Sequence, residues 1–284
     1  MAWKLALACR LAKACDVAYY VDRPGGVTAC PSYGDVRFTD VPDVAISGVE
    51  RTDAGLVGSC ADCVIVAFRG TLPLSFDSGS AFFQSLLDWL NDAKAAPVPG
   101  YGGLVHGGFA ASLANLWPTL EPSVRARAGA GTPIYVTGHS KGGGLAQLAA
   151  IRLHDEAGLP PAAVYTYAAP RAGNGAFAGH YGQVIGEHWR VENRDDVVPH
   201  LPPGGELGPL LRRLDPRFGR LALPEYESVG TLQFINWSGA IVGDSLPLRL
   251  HRLESLTEKL GTGQLQVIVG DHTLTRDYFA AVCA

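Results

Sequence analysis

The stretch Pro133-Ile134-Tyr135-Val136-Thr137-Gly138-His139-Ser140-Lys141-Gly142-Gly143-Gly144 decides how the chain is read. Ile134 to Thr137 are apolar, aromatic or β-branched, the composition of a short buried strand. Gly138 to Gly142 match Gly-X-Ser-X-Gly. Leu145 to Leu153 then hold good helix formers and no breaker. Strand, sharp turn and helix form the context of a nucleophile elbow, in which a serine is forced onto a strained turn. The flanking glycines follow from crowding, since a side chain on either side of that serine would strike the neighbouring strand or helix. A glycine-rich turn with Ser140 as helix N-cap is the plainer alternative.

The 284 residues are long enough for one sizeable core, and no linker or internal repeat divides them, so a single domain over 1–284 is expected. With 47% apolar and 18% charged residues the chain is globular. A net charge of −4 without a basic run argues against a nucleic-acid partner. The 35 glycines and 19 prolines fit turn-rich loops on a packed scaffold. No apolar run is long enough for a transmembrane segment. Arg10 breaks the early apolar stretch, so no signal peptide is read; a cytoplasmic protein or a processed or leaderless secreted form is expected. Ala2 to Tyr20 reads as an amphipathic helix. The six cysteines, Cys9, Cys15, Cys30, Cys60, Cys63 and Cys283, allow many pairings. Cys60-Ala61-Asp62-Cys63 lacks the second ligand pair that zinc would need, leaving a local bridge or two free thiols.

Val64 to Phe68 reads as a strand buried on both faces, ending in the turn Arg69-Gly70-Thr71. Ser80 to Lys94 reads as a helix, Pro97 to Gly103 as loop, and Ala110 to Val124 as a second helix. Ala163 to Tyr167 and His188 to Glu192 read as strands, with a short helix at Phe177 to Tyr181 between them. Glu225 to Ile235 and Gln264 to Val269 read as later strands. Alternation of this kind predicts an α/β fold: a mainly parallel central sheet with helices on both faces.

A serine hydroxyl needs a histidine to take its proton and an acid to hold that histidine. In α/β hydrolases the order is Ser, acid, His, each on a loop after a strand. Of the histidines well beyond Ser140, His180 and His188 precede any good acid loop, His200 is too close to Asp196, and His251 sits on an amphipathic helix. His272 fits as the base. Asp195 and Asp196 both stand at a strand end, and spacing does not choose between them. The backbone N–H of Lys141 supplies one oxyanion donor, and Gly70-Thr71 is the best loop for the second.

Six motifs then occur in the order of the class 3 lipase family. They are Phe68-Arg69-Gly70-Thr71, Asp88-Trp89-Leu90-Asn91-Asp92, Val105-His106-Gly107-Gly108-Phe109, Gly138-His139-Ser140-Lys141-Gly142, Tyr167-Ala168-Ala169-Pro170-Arg171 and Asn193-Arg194-Asp195-Asp196-Val197-Val198-Pro199. The resemblance covers roughly Ala12 to Ala280 and implies an α/β-hydrolase fold without metal or cofactor. It places the acid three residues before Pro199, at Asp196, and supports His272 and Thr71. It implies a carboxylester hydrolase, a triacylglycerol lipase first, with lipid esters as substrate and work at a lipid–water interface, and it leaves the oligomeric state open. A short-chain or feruloyl esterase and a non-catalytic lipid-binding module are the alternatives. A disulfide tying the chain ends in fungal relatives implies Cys15 with Cys283 here.

Lys141 stands where the family usually has leucine. Residues 72–91 are expected to form a lid, with Phe82, Phe83, Leu86 and Leu90 on one helical face toward the acyl chain. The long interval between Asp196 and His272 holds a cationic amphipathic stretch, read as a possible cap insertion at 203–223.

Overall fold

The computed structural model describes residues 3–48, 51–71, 96–202 and 225–284. The expected lid at 72–91, with Phe82, Phe83, Leu86 and Leu90, and the expected cap at 203–223 lie outside them.

Eight strands form the main sheet: β1 (Asp43–Ser47), β2 (Asp53–Ser59), β3 (Val64–Phe68), β6 (Ile134–His139), β7 (Ala163–Tyr167), β9 (His188–Asn193), β11 (Thr231–Ile235) and β12 (Ile241–Gly243), side by side in that order. The centre, from β3 through β6, β7 and β9 to β11, is parallel; β1, β2 and β12 add antiparallel edges. β3 and β7 are buried throughout, as strands covered on both faces must be. The register puts Phe68 beside Gly138, His139 beside Tyr167 and Tyr167 beside Val191. The carboxyl ends of β3, β6 and β9 therefore converge on one rim, where open α/β sheets place their ligands.

Each face of the sheet carries its own core. On one, α1 (Leu5–Ala18) packs Leu11, Ala12 and Cys15 against Ile65, Ala67 and Tyr167, joined by Tyr278 and Val282 from the C-terminal segment. On the other, α3 (Gly107–Arg127), α4 (Lys141–Asp155) and α5 (Gly175–Val184) bury Phe109, Leu113, Leu148 and Phe177 against Val66, Phe68, Val136 and Val164. A short helix, α2 (Tyr33–Val36), leads into β1. No described helix is long and apolar enough to cross a membrane.

Three expectations are corrected. The proline- and glycine-rich stretch read as loop forms a hairpin, β4 (Pro97–Gly100) and β5 (Gly103–His106), turning through Tyr101 (φ 52°) and Gly102 (φ 81°). Positive φ at both turn residues matches the twist of a tight hairpin. β4 is the edge of a small four-stranded sheet completed by β8 (Gly173–Asn174) and β10 (Tyr226–Glu227), and an edge tolerates proline.

The run read as a strand near Gln264 is helical. It follows α6 (Leu246–Gly261) as α7 (Leu265–Gly270), with Asp271 N–H donating to the Val267 carbonyl at 3.0 Å. A short apolar run satisfies either period, and this one is packed beside a helix rather than a strand.

Cys283 pairs with Cys9, not Cys15, with Cα atoms 4.8 Å apart. Six residues of helix turn the two candidates about 120° away from each other, so only one faces the C-terminal segment. Cys15 faces the sheet instead, its sulfur 3.2 Å from Thr137 Oγ1. Cys15, Cys30, Cys60 and Cys63 are free thiols, one of the two states left open for the C-x-x-C pair.

Candidate active site

Ser140 follows β6 and caps α4 with φ 56° and ψ −133°, a conformation sparsely populated for any residue with a Cβ. Its N–H donates to the Tyr167 carbonyl at 2.9 Å, and its carbonyl accepts from Gly143 N–H at 2.8 Å. The crowding predicted for the elbow is literal. A Cβ on Gly138 would lie 2.1 Å from the Gly142 carbonyl oxygen, and one on Gly142 would lie 2.4 Å from that of Phe68.

The rim brings Ser140, His272 and Asp196 together. Ser140 Oγ is 2.9 Å from His272 Nε2, and His272 Nδ1 is 3.0 and 2.8 Å from the two Asp196 oxygens. Both Asp196 and His272 are buried. Asp196 Oδ1 also accepts from Val198 N–H at 3.0 Å and Oδ2 from the Tyr278 hydroxyl at 2.8 Å. A carboxylate so engaged accepts a proton bond from Nδ1, which leaves Nε2 to receive the serine hydroxyl's.

Asp195, the other candidate acid, turns the opposite way. Its side chain is buried, with Oδ2 accepting from Trp237 Nε1 at 3.0 Å and paired with the Lys259 ammonium on α6. The remaining late histidines have other partners: His180 with Asp155, His188 with Thr166, His200 beside Arg252, and His251 against Trp237.

Around Ser140 the two expected oxyanion elements are adjacent. The Lys141 N–H opens α4, among the N–H groups that a helix leaves without an intrahelical acceptor. Gly70 packs so closely that a Cβ there would sit 2.9 Å from Ser140 Cβ, and Thr71 follows it, exposed. The Lys141 ammonium is paired with Asp53, at the start of β2, and both side chains are largely buried. The charge that departs from the family pattern is thereby balanced within the protein.

Three residues escape sequence reasoning. Tyr278 donates to Asp196 from a π-helical turn (Leu274–Tyr278). His139 Nε2–H donates to the His272 carbonyl at 3.0 Å, which leaves His139 Nδ1 to accept from the Tyr19 hydroxyl at 2.8 Å. Burial, with His272 beside it, pushes the His139 imidazolium pKa well below its ordinary range, so the ring is neutral. Tyr278 and Tyr19 stand in no motif, although His139's place beside the nucleophile is a readable hint.

A separate cavity of about 690 Å³ lies beyond Pro199, lined among others by Arg171, Glu192, His200, Tyr226 and Arg252. None of the three rim residues lines it. Its walls are charged rather than apolar, and Glu192 is paired with both Arg190 and Arg252, which outweigh its burial and hold its pKa well below the usual range.

The Lipase (class 3) family profile matches residues 65–206, half of the chain. Lipase ZK262.3 of Caenorhabditis elegans is 36% identical over 144 residues, 49% of this chain and 38% of that protein. A lipase of Rhizomucor miehei is 32% identical over 154 residues, 51% of this chain and 39% of its own length. The chain thus spans well under two thirds of these curated relatives. A crystal structure of a fungal lipase superposes with a TM-score of 0.63 over 99% of this chain and 97% of that one, at 22% identity, a likeness of fold. With the α/β-hydrolase sheet, the elbow and the family match in agreement, the chain belongs to the class 3 lipase family.

Proposed function

We propose that the protein is a serine carboxylester hydrolase that works through an acyl-enzyme, with lipid esters, acylglycerols first among them, as substrate. The observation that carries the reading is the unbroken hydrogen-bond path from Asp196 through His272 to Ser140. In this reading Ser140 Oγ attacks the ester carbonyl while His272 Nε2 takes its proton. The N–H of Lys141 and Thr71, through its N–H and hydroxyl, hold the oxyanion. His272 then returns the proton to the leaving alcohol, and water, deprotonated by the same nitrogen, releases the acid. Asp196 keeps Nδ1 protonated and balances the transient imidazolium, itself held by Tyr278 and the Val198 N–H. The lipid preference rests on family membership and on the relatives named as lipases.

Two measurements test this. A fluorophosphonate should label Ser140 stoichiometrically; an unlabelled, folded protein would mean a non-catalytic lipid-binding module. Turnover of p-nitrophenyl esters from acetate to palmitate, beside emulsified triolein, should rise toward long chains and include triolein. Activity confined to acetate or to feruloyl esters would replace the lipase reading with the esterase one.

A further inference from the structure

At the end of the sheet opposite the rim, Ser59 of β2 faces Val64 of β3, and the next residues outward are Cys60 and Cys63. Cys60 N–H donates to the Cys63 carbonyl at 2.7 Å, closing a hairpin whose loop is Ala61-Asp62 alone. Residues opposed in a hydrogen-bonded antiparallel pair hold their Cα atoms about 5.5 Å apart, within the range a disulfide spans. Here the two sulfurs and an Asp62 carboxylate oxygen all lie within 4.8 Å of one another.

Arg10 reaches this turn from α1. Its Nε donates to the Val36 carbonyl at 2.8 Å, the carbonyl that Cys60 Sγ meets at 3.8 Å, and its terminal nitrogen bonds both Asp62 oxygens at 3.0 and 3.2 Å. A guanidinium beside two sulfurs favours the thiolate. It also disfavours a metal ion, because it occupies the Asp62 carboxylate grouped with the two sulfurs. The sulfurs are unequal. The hydrogen bond from Cys63 and the charge of Arg10 hold the Cys60 thiol below its ordinary range against burial, while that same bond and burial push Cys63 up. Ala61 and Asp62 are exposed, and Cys60 keeps 8% of its surface against 1% for Cys63. Cys15 and Cys30 have no cysteine opposite them, and burial pushes each thiol up to about 12.

We propose that Cys60 and Cys63 form a redox-active dithiol that reacts with small-molecule disulfides of the glutathione class, Cys60 attacking and Cys63 resolving. The Cys60 thiolate bonds to one sulfur of the small disulfide and expels the other as a thiolate. Cys63 loses its proton and attacks Cys60 Sγ, forming the Cys60–Cys63 bond and expelling the second small thiolate. Two protein thiols are oxidised, one small disulfide is reduced to two thiols, and no other reactant is needed. The five residues of β3 set this turn about 16 Å from the oxyanion loop, so closure leaves ester hydrolysis unchanged.

The test uses the folded protein with Cys9–Cys283 intact, incubated with oxidised glutathione, alkylated and peptide-mapped. Cys60 and Cys63 should lose both alkylatable thiols and appear linked, while Cys15 and Cys30 alkylate only after unfolding. Cys63→Ser should stop at one glutathione on Cys60, Cys60→Ser should take up none, and Arg10→Gln should slow oxidation by roughly three- to tenfold. Two free thiols in the treated wild type would overturn the proposal. So would an adduct on Cys63 in Cys60→Ser formed as fast as that on Cys60 in Cys63→Ser. The wild-type result alone tests the pairing, whatever the folding yield of the variants.

Discussion

The phenol of Tyr278 donates to Asp196 Oδ2 at 2.8 Å from a position where the ring is fully buried. It is the only side chain besides His272 to which either Asp196 oxygen bonds among the described residues. Removing the hydroxyl strips one donor from a buried carboxylate, a bond to a charged group worth about 1.5–3 kcal/mol. Tyr278→Phe should therefore lower kcat by about ten- to a hundredfold with KM little changed. Steady-state kinetics on a soluble ester check it, and an unchanged kcat would reduce Tyr278 to a packing residue.

The neighbouring aspartates divide two tasks. Asp196→Asn should cost about 10³–10⁵ in kcat, because it removes the acid that holds the histidine tautomer. Asp195→Asn should instead act on stability, since its carboxylate is paired with Lys259 and bonded by Trp237. A loss of about 1–3 kcal/mol in urea unfolding, with kcat within about tenfold of wild type, is expected. A dead but fully stable Asp195→Asn enzyme would reverse the assignment of the acid.

Ser140 holds a backbone conformation that costs about 1–3 kcal/mol for a residue with a Cβ. Ser140→Gly relieves it, against about 0.5–1 kcal/mol of extra chain entropy. The variant should be inactive yet more stable than wild type by about 0.5–2 kcal/mol, read by denaturant unfolding. A destabilised variant would mean that the elbow is not strained.

Asp271 gives the fold a pH dependence of its own. Burial, together with the charges of Asp195 and Asp196, raises its carboxyl pKa to about 6, against the Asp195 N–H bond and Arg194. In the unfolded chain it titrates near 4. The folded state thus binds the proton more tightly, so this group's penalty on stability is absent below about pH 4, grows between pH 4 and 6, and is complete above 6. Asp271→Asn keeps an acceptor for the Asp195 N–H and removes the charge. Its stability should exceed wild type at pH 8 and match it near pH 4, by unfolding at both pH values. A gain independent of pH would rule out the titration.

The central strands and the elbow were legible because each is local. Val64 to Phe68 carries its burial in an uninterrupted apolar run, and Gly138 and Gly142 carry the turn in their lack of a Cβ. The placement of His272 beside Ser140 was legible through chain order, even though the run before it is a helix rather than a strand. The disulfide partner was not, since Cys9 and Cys15 differ only in which side of α1 meets the C-terminal segment. Nor was the clasp of Tyr19 on His139, whose residues are 120 positions apart and meet only once α1 packs under the sheet. Motifs record the groups at the rim; the groups that hold them still are recorded in packing.

The spacing of the three rim residues along the chain has a consequence for biosynthesis. His272 follows Ser140 by 132 residues and Asp196 by 76. At about 5–20 residues per second, a ribosome that has completed Asp196 needs roughly 4–15 s more to make His272. Throughout that interval the emerging polypeptide holds Ser140 without the His272 imidazole that contacts it in the folded protein. On the proposed mechanism, newly made protein is therefore chemically inert until its C-terminal segment reaches the sheet.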